Sequence, residues 1–242
     1  MYRHIIISLI DNYLLMLDNI TIPVEKGKVK MRLLSFLLFL AFSFNSFARE
    51  ISFTTKDNAT IYADFQPAGS HAVLLAHGAI FNKSSWGEFV TQLLANNYTV
   101  LAIDFRGHGK SSNGKMPNAL YQDILAGVHF LQIQTGINKV SVLGASIGGG
   151  AAAKASVLSV AQDIDSLILL SPASIYHPEQ LKGNLLFIAS EDEYLSKIIQ
   201  QSYNKAPSPK RLVLIPGRAH AQHIFKTAQA DAMTAIILDF LE

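Results

Sequence analysis

Apolar residues along this chain come in short unbroken runs rather than in strict alternation. "HAVLLA" (71–76), "YTVLAIDF" (98–105), "KVSVLGA" (139–145), "DSLILLSP" (165–172), "NLLFIAS" (184–190) and "RLVLIPG" (211–217) are each of strand length and end in turn residues or isolated polar groups. Runs of this kind suit strands buried on both faces of a parallel sheet. Between them, residues 86–96, 119–134, 147–160, 194–205 and 224–241 carry helical spacing. Upstream, 51–55 and 60–65 are rich in β-formers and are joined by the turn sequence "KDNA". They predict a hairpin that adds antiparallel strands at one edge. Strands alternating with helices predict an α/β fold: about eight strands, mostly parallel, joined by right-handed crossovers, with helices on both faces. No repeat, low-complexity tract or linker divides residues 49–242, which read as one domain.

The N-terminal pattern differs. Met31-Arg32 precedes the apolar stretch "LLSFLLFLAFSFNSFA" (33–48), which closes on the small residues Ser46 and Ala48. A basic start, an apolar core and a small-residue end are the layout of a secretory signal peptide, so residues 31–48 are expected to be removed by cleavage after Ala48. Ser43 and Asn45 break the apolar core, which is short for a membrane span. An uncleaved anchor is the alternative. Residues 1–30 sit in front of this leader. Their apolar part is interrupted by Asp11 and Asn12, and they read as an extension preceding a true start at Met31. The expected location is secreted or periplasmic, with no stable membrane span after cleavage.

Composition narrows the function classes. The chain has 242 residues, is 50% hydrophobic and carries a formal net charge of +2. Residues 49–242 hold equal numbers of basic and acidic side chains. Nothing here draws the protein to nucleic acid or to an anionic surface. The absence of cysteine excludes disulfides, thiolate metal sites, a cysteine nucleophile and a lipidated cysteine.

In open α/β sheets, ligands bind beyond the carboxyl ends of the strands. The residues found there are His77-Gly78-Ala79, Asp104 to Gly109, Ser146, Asp192 and His220. Gly144-Ala145-Ser146-Ile147-Gly148 places a serine between a strand and a helix, with glycine two residues to either side. A nucleophile projecting from a sharp turn needs that clearance. The spacing of a dinucleotide fingerprint and the Gly-Lys-Ser/Thr of a phosphate loop are both missing after this strand. A serine hydroxyl needs a base, and the base needs an orienting carboxylate. Asp192, just past a strand end, is the expected acid. Glu191 and Glu193 stand beside it as alternatives, and Asp192 could instead cap the helix that follows. His220 falls in the loop after the last strand and is the expected base, with His223 the alternative. Two backbone N–H groups are needed for the developing oxyanion. Ile147, which opens a helix, and Ala79, in the loop after "VLLAHG", are expected to supply them, with Ile80 the alternative to Ala79. His77 and His108 read as structural residues bonded to loop backbone, since a metal site built from them and Asp104 lacks a ligand pattern.

"LLAHGAIFNKSSW", "AIDFRGHGKS", "GASIGG", "FIASEDEY" and "PGRAHAQH" resemble, in order and spacing, the α/β-hydrolase superfamily over nearly all of residues 49–242. The resemblance implies a serine hydrolase with Ser146 as nucleophile, Asp192 as acid, His220 as base and Ala79 and Ile147 as oxyanion donors. It implies neither metal nor cofactor, and it assigns Asp104 and Arg106 to a structural turn. Only residues 173–183 are available where many relatives insert a helical cap, so the site is expected to be shallow and open. The chain is similar in this to cap-less members of the dienelactone-hydrolase, esterase and thioesterase kind. The expected substrate is a small carboxylic ester or thioester. A peptidase or amidase, or a non-catalytic binding protein on the same fold, is the alternative.

Overall fold

The computed structural model describes residues 48–242. The extension expected over residues 1–30 and all but the last residue of the leader expected over residues 31–48 lie outside the described residues. Eight strands form one sheet in the order β1-β2-β4-β3-β5-β6-β7-β8: β1 (Arg49–Thr54), β2 (Thr60–Gln66), β3 (His71–Ala76), β4 (Tyr98–Ile103), β5 (Lys139–Ala145), β6 (Ser166–Leu170), β7 (Asn184–Ser190) and β8 (Lys210–Ile215). The hairpin β1–β2 is antiparallel and joins antiparallel to β4, and every pairing from β4 to β8 is parallel. The central strands β4, β5, β6 and β7 are buried almost end to end, which is why they read as unbroken apolar runs.

Each central strand feeds two cores. Val73 and Leu75 of β3 pack on one face with Trp86, Phe89, Met233 and Ile237; Leu74 packs on the other with Ile124, Leu131, Ala152 and Ile199. The period of two along a strand thus distributes five helices over both faces. α1 (Glu88–Ala95) and α5 (Ala230–Leu241) cover the first; α2 (Leu120–Gln132), α3 (Ile147–Leu158) and α4 (Ser196–Lys205) cover the second. Between β6 and β7 the chain makes only a short loop with one 3-10 turn (Pro178–Gln180), so no large cap is present among the described residues. None of the described helices is long and apolar enough to cross a membrane.

Two departures from the expected element boundaries bear on the site. The helix expected over 194–205 begins at Ser196, because Glu193 and Tyr194 belong to the turn leaving β7. The one expected over 224–241 is two elements, a 3-10 turn at Ala221–Lys226 and then α5, separated where the Thr227 side chain accepts from Gln229 N.

One ion cluster ties the β1–β2 turn to the turn after β4. Arg106 is buried, and its guanidinium donates to Asp57 (2.9 and 3.0 Å) and Asp123 (2.9 and 2.6 Å). The Arg106 hydrogen bonds hold the Asp57 carboxyl well below the usual carboxylate range. Arg106 thus has the structural place that the sequence resemblance gave it.

Candidate active site

Parallel pairing sets the carboxyl ends of β3, β5, β6 and β7 side by side. Ala76 aligns with Gly144, Gly144 with Leu169, and Ala145 with Leu170. The segments that follow these strands therefore converge at one edge of the sheet. Ser146 sits between β5 and α3 at φ 53° and ψ −114°, a left-handed backbone that a side-chain-bearing residue adopts only under external restraint. The restraint is visible: Ser146 N donates to Leu170 O (2.9 Å), and Ser146 O accepts from Ala173 N (2.9 Å) and Gly150 N (3.1 Å). Glycines make the corner possible. A Cβ on Gly144 would stand 2.3 Å from Gly148 O, and one on Gly148 would stand 2.3 Å from Ala76 O. Both obstacles are backbone and cannot move aside.

Ser146 Oγ lies 2.9 Å from His220 Nε2, and His220 Nδ1 lies 2.6 Å from Glu193 Oε2. The geometry is a serine–imidazole–carboxylate relay. Nδ1–H donates to the carboxylate, which leaves the Nε2 lone pair facing the hydroxyl. Among the described residues no other histidine is hydrogen-bonded to Ser146. His223 lies in the 3-10 turn with its ring 5.1 Å from that of Phe81.

The acid in this relay is Glu193, not the expected Asp192. Three consecutive acidic residues leave β7, and the turn returns only one of them to the interior. Glu193 is buried, its side chain 1% exposed, and Oε1 accepts from Ser190 N (2.8 Å) and Ser171 Oγ (2.6 Å). Those two donors aim Oε2 at His220. Asp192 is exposed; its backbone N–H donates to Gly217 O (2.9 Å), and the carboxylate hydrogen-bonded to His220 Nδ1 is that of Glu193. Asp192 caps no helix either, since α4 begins four residues later. Sequence reasoning did not single out Ser171. Its hydroxyl donates to Glu193 and accepts from Ala221 N (3.1 Å), so it braces Glu193 and the chain just after His220.

The loop after β3 stands against the serine. A Cβ on Gly78 would come within 3.5 Å of Ser146 Cβ. Gly78 N donates to Gln222 Oε1 (2.7 Å), and Gly78 O accepts from Phe81 N (3.0 Å) and His77 Nδ1 (2.8 Å). Ala79 O lies 3.0 Å from His108 Nε2. Of the polar backbone atoms of Gly78 and Ala79, only Ala79 N lacks a partner among the described residues. Ile147 N, at the start of α3, likewise has none. His77 is fully buried, and burial pushes its pKa down to about 4. Its neutral ring donates from Nδ1 to Gly78 O and accepts at Nε2 from Phe105 N (3.2 Å). His77 and His108 therefore serve the loop backbone, and no cluster of metal-ligating side chains exists among the described residues.

Large apolar side chains are exposed on the loops after β3, β6 and β7. Ile80 is 80% exposed, Tyr176 73% and Tyr194 79%. Tyr194 directly follows the buried acid, and its ring lies 5.7 Å from that of His220.

Comparison with known proteins agrees with this architecture. A family model described as Hydrolase_4, serine aminopeptidase S33, matches residues 68–210. The uncharacterized protein YfhR of Escherichia coli K12 is 25% identical over 234 residues, with 80% of each chain covered. The bifunctional esterase/perhydrolase DCH of Acinetobacter calcoaceticus is 31% identical over 101 residues, 40% of this chain and 35% of that protein. Among solved structures, the Pyrococcus furiosus esterase Pf2001 superposes with a TM-score of 0.69 at 20% identity, covering 81% of this chain and 91% of that one. A Bacillus anthracis bromoperoxidase superposes at 0.68 with 15% identity, covering 80% and 99%. The structural likenesses establish the fold, and the family match spans more than half of the sequence: this chain is a hydrolase that belongs to the serine aminopeptidase S33 family of the α/β-hydrolase superfamily.

Proposed function

We propose that the protein is a serine hydrolase that cleaves a carboxylic ester or thioester through an acyl-enzyme on Ser146. The observation that carries this reading is the hydrogen-bonded line from Ser146 Oγ through His220 to Glu193, set on a strained corner beside two unused backbone donors. Ser146 Oγ attacks the carbonyl carbon as His220 Nε2 takes its proton. Glu193 holds Nδ1–H and offsets the imidazolium charge that forms. The carbonyl oxygen becomes an oxyanion held by the N–H groups of Ala79 and Ile147, the latter at the positive end of α3. Collapse of the tetrahedral intermediate breaks the bond to the leaving group, which departs with the proton from Nε2. Water then attacks the acyl carbon with His220 as base, and Ser146 leaves with the proton returned. No step calls for a metal or cofactor.

The exposed Ile80, next to Ala79, and Tyr194, beside His220, favour an apolar acyl or leaving group over a charged one. Amide cleavage by the same machinery is the second reading, favoured by the description of the matching family as serine aminopeptidases. A fluorophosphonate probe with Ser146→Ala as control tests the nucleophile: labelling is expected in the wild type and lost in the variant. Folded wild-type protein that fails to label would instead favour a binding protein on this fold. A p-nitrophenyl acyl ester series run beside aminoacyl anilides separates the two enzymatic readings. Turnover of the anilides with the esters untouched would overturn the esterase proposal.

A further inference from the structure

Gln222 is 2% exposed and lies two residues past His220. Its Oε1 accepts from Gly78 N at 2.7 Å, and its Nε2 donates to Ser85 Oγ at 2.8 Å. A single side chain thus grips the loop after β3 at both ends, across more than 130 positions of sequence. Ser85 Oγ in turn donates to Asn82 O (2.5 Å), and the Asn82 side chain accepts from Ser84 N (2.9 Å), so the far end of the grip is itself hydrogen-bonded within the loop. The residues between the two grips include Ala79. The segment 220–222 engages the rest of the site at every residue: His220 meets Ser146 and Glu193, Ala221 N meets Ser171, and Gln222 meets Gly78. Ala221 has φ 50°, in the left-handed region that few side-chain-bearing residues adopt.

We propose that Gln222 is a positioning residue that fixes the Ala79 amide relative to the base and the nucleophile. The proposal rests on the serine-hydrolase reading for its catalytic consequence. Two physical points carry it. Gly78 N, beside Ser146, is consumed by Gln222 and so is withheld from the oxyanion, which leaves the next amide as the donor. The buried carboxamide has both of its polar ends paired, so removing them frees the loop at two places. A displacement of about 1 Å at a reacting centre can cost about a hundredfold in rate.

The test compares Gln222→Met, which keeps length but neither hydrogen bond, with Gln222→Glu, which still accepts from Gly78 N. Rates are referred to sites titrated with the fluorophosphonate probe, so loss of folded protein does not count as loss of kcat. Gln222→Met is expected to lower kcat for a p-nitrophenyl ester by about tenfold to a hundredfold with KM within about twofold. Gln222→Glu is expected to recover most of that loss. In parallel, amide exchange over residues 78–85 is expected to quicken by at least about fivefold in Gln222→Met, the effect of one net hydrogen bond. A kcat within about twofold of wild type in Gln222→Met would overturn the proposal. So would equal losses in the two variants, or a change confined to the number of titratable sites. Unchanged exchange over 78–85 refutes the grip whether or not the wild type turns over. Absence of Ser146-dependent turnover in the wild type refutes the hydrolase reading separately.

Discussion

Glu193→Gln is the most discriminating perturbation of this site. In the wild type, Oε1 accepts from Ser190 N and Ser171 Oγ, and Oε2 accepts from His220 Nδ1. A glutamine has one oxygen to offer. Ser190 N and Ser171 Oγ together claim it, so the amide nitrogen is turned towards His220. Two N–H groups cannot face each other, and the imidazole then moves its proton to Nε2. From there it can no longer accept from Ser146 Oγ. The matching carboxylate-to-amide change in the Ser-His-Asp template lowers kcat by about ten-thousandfold. We expect a loss of about 10³- to 10⁴-fold here, equivalent to about 4–5.5 kcal/mol of transition-state stabilisation. Asp192→Asn changes an exposed side chain and keeps the bond from its backbone to Gly217 O, so its kcat is expected to stay within about twofold of wild type. Hydrolysis of a p-nitrophenyl ester, with circular dichroism to verify folding, measures both. The reasoning fails if Asp192→Asn loses as much as Glu193→Gln, or if Glu193→Gln stays within about tenfold of wild type.

Two further predictions concern stability. Arg106→Met strands the carboxylates of Asp57 and Asp123 in the interior and is expected to cost about 3–5 kcal/mol in urea unfolding; a cost under about 1 kcal/mol would show that the cluster is solvated. His77 has its pKa lowered to about 4 by burial, so between about pH 6.5 and pH 4 the unfolded chain binds the proton more readily than the folded one. Stability from this residue is complete above pH 6.5, falls on acidification through that window, and changes by at most about 3 kcal/mol; urea midpoints at pH 7 and pH 4.5, with His77→Gln for comparison, should show a smaller acid loss in the variant.

Much of this architecture is legible in the sequence because the physics that makes it is local. A strand buried on both faces must be apolar throughout, so "KVSVLGA" and "NLLFIAS" announce themselves to the residue. Gly144 and Gly148 flag the corner at Ser146, because any side chain there would meet backbone. The choice among Glu191, Asp192 and Glu193 is different in kind. It is made by Ser171, 22 residues from Glu193 in the chain, and no local pattern reports that contact. The available signal was the position of Glu193 three residues past the strand end, where a turn closing from Ser190 folds a longer side chain back inside. Gln222 was invisible for the same reason, since its partners become neighbours only once β3 and β8 have joined one sheet.

The proposed nucleophile and base hang from very different parts of that sheet. Ser146 follows β5, a central strand, whereas His220 follows β8, which pairs with β7 alone at the rim and keeps Leu212, Val213 and Leu214 only partly covered. Fraying at that margin is expected to carry off the imidazole and Gln222 while the serine corner and its glycines stay intact. On the proposed mechanism, loss of activity and loss of the fold are therefore expected to be separable events, the first set at an edge of the sheet and not in its core.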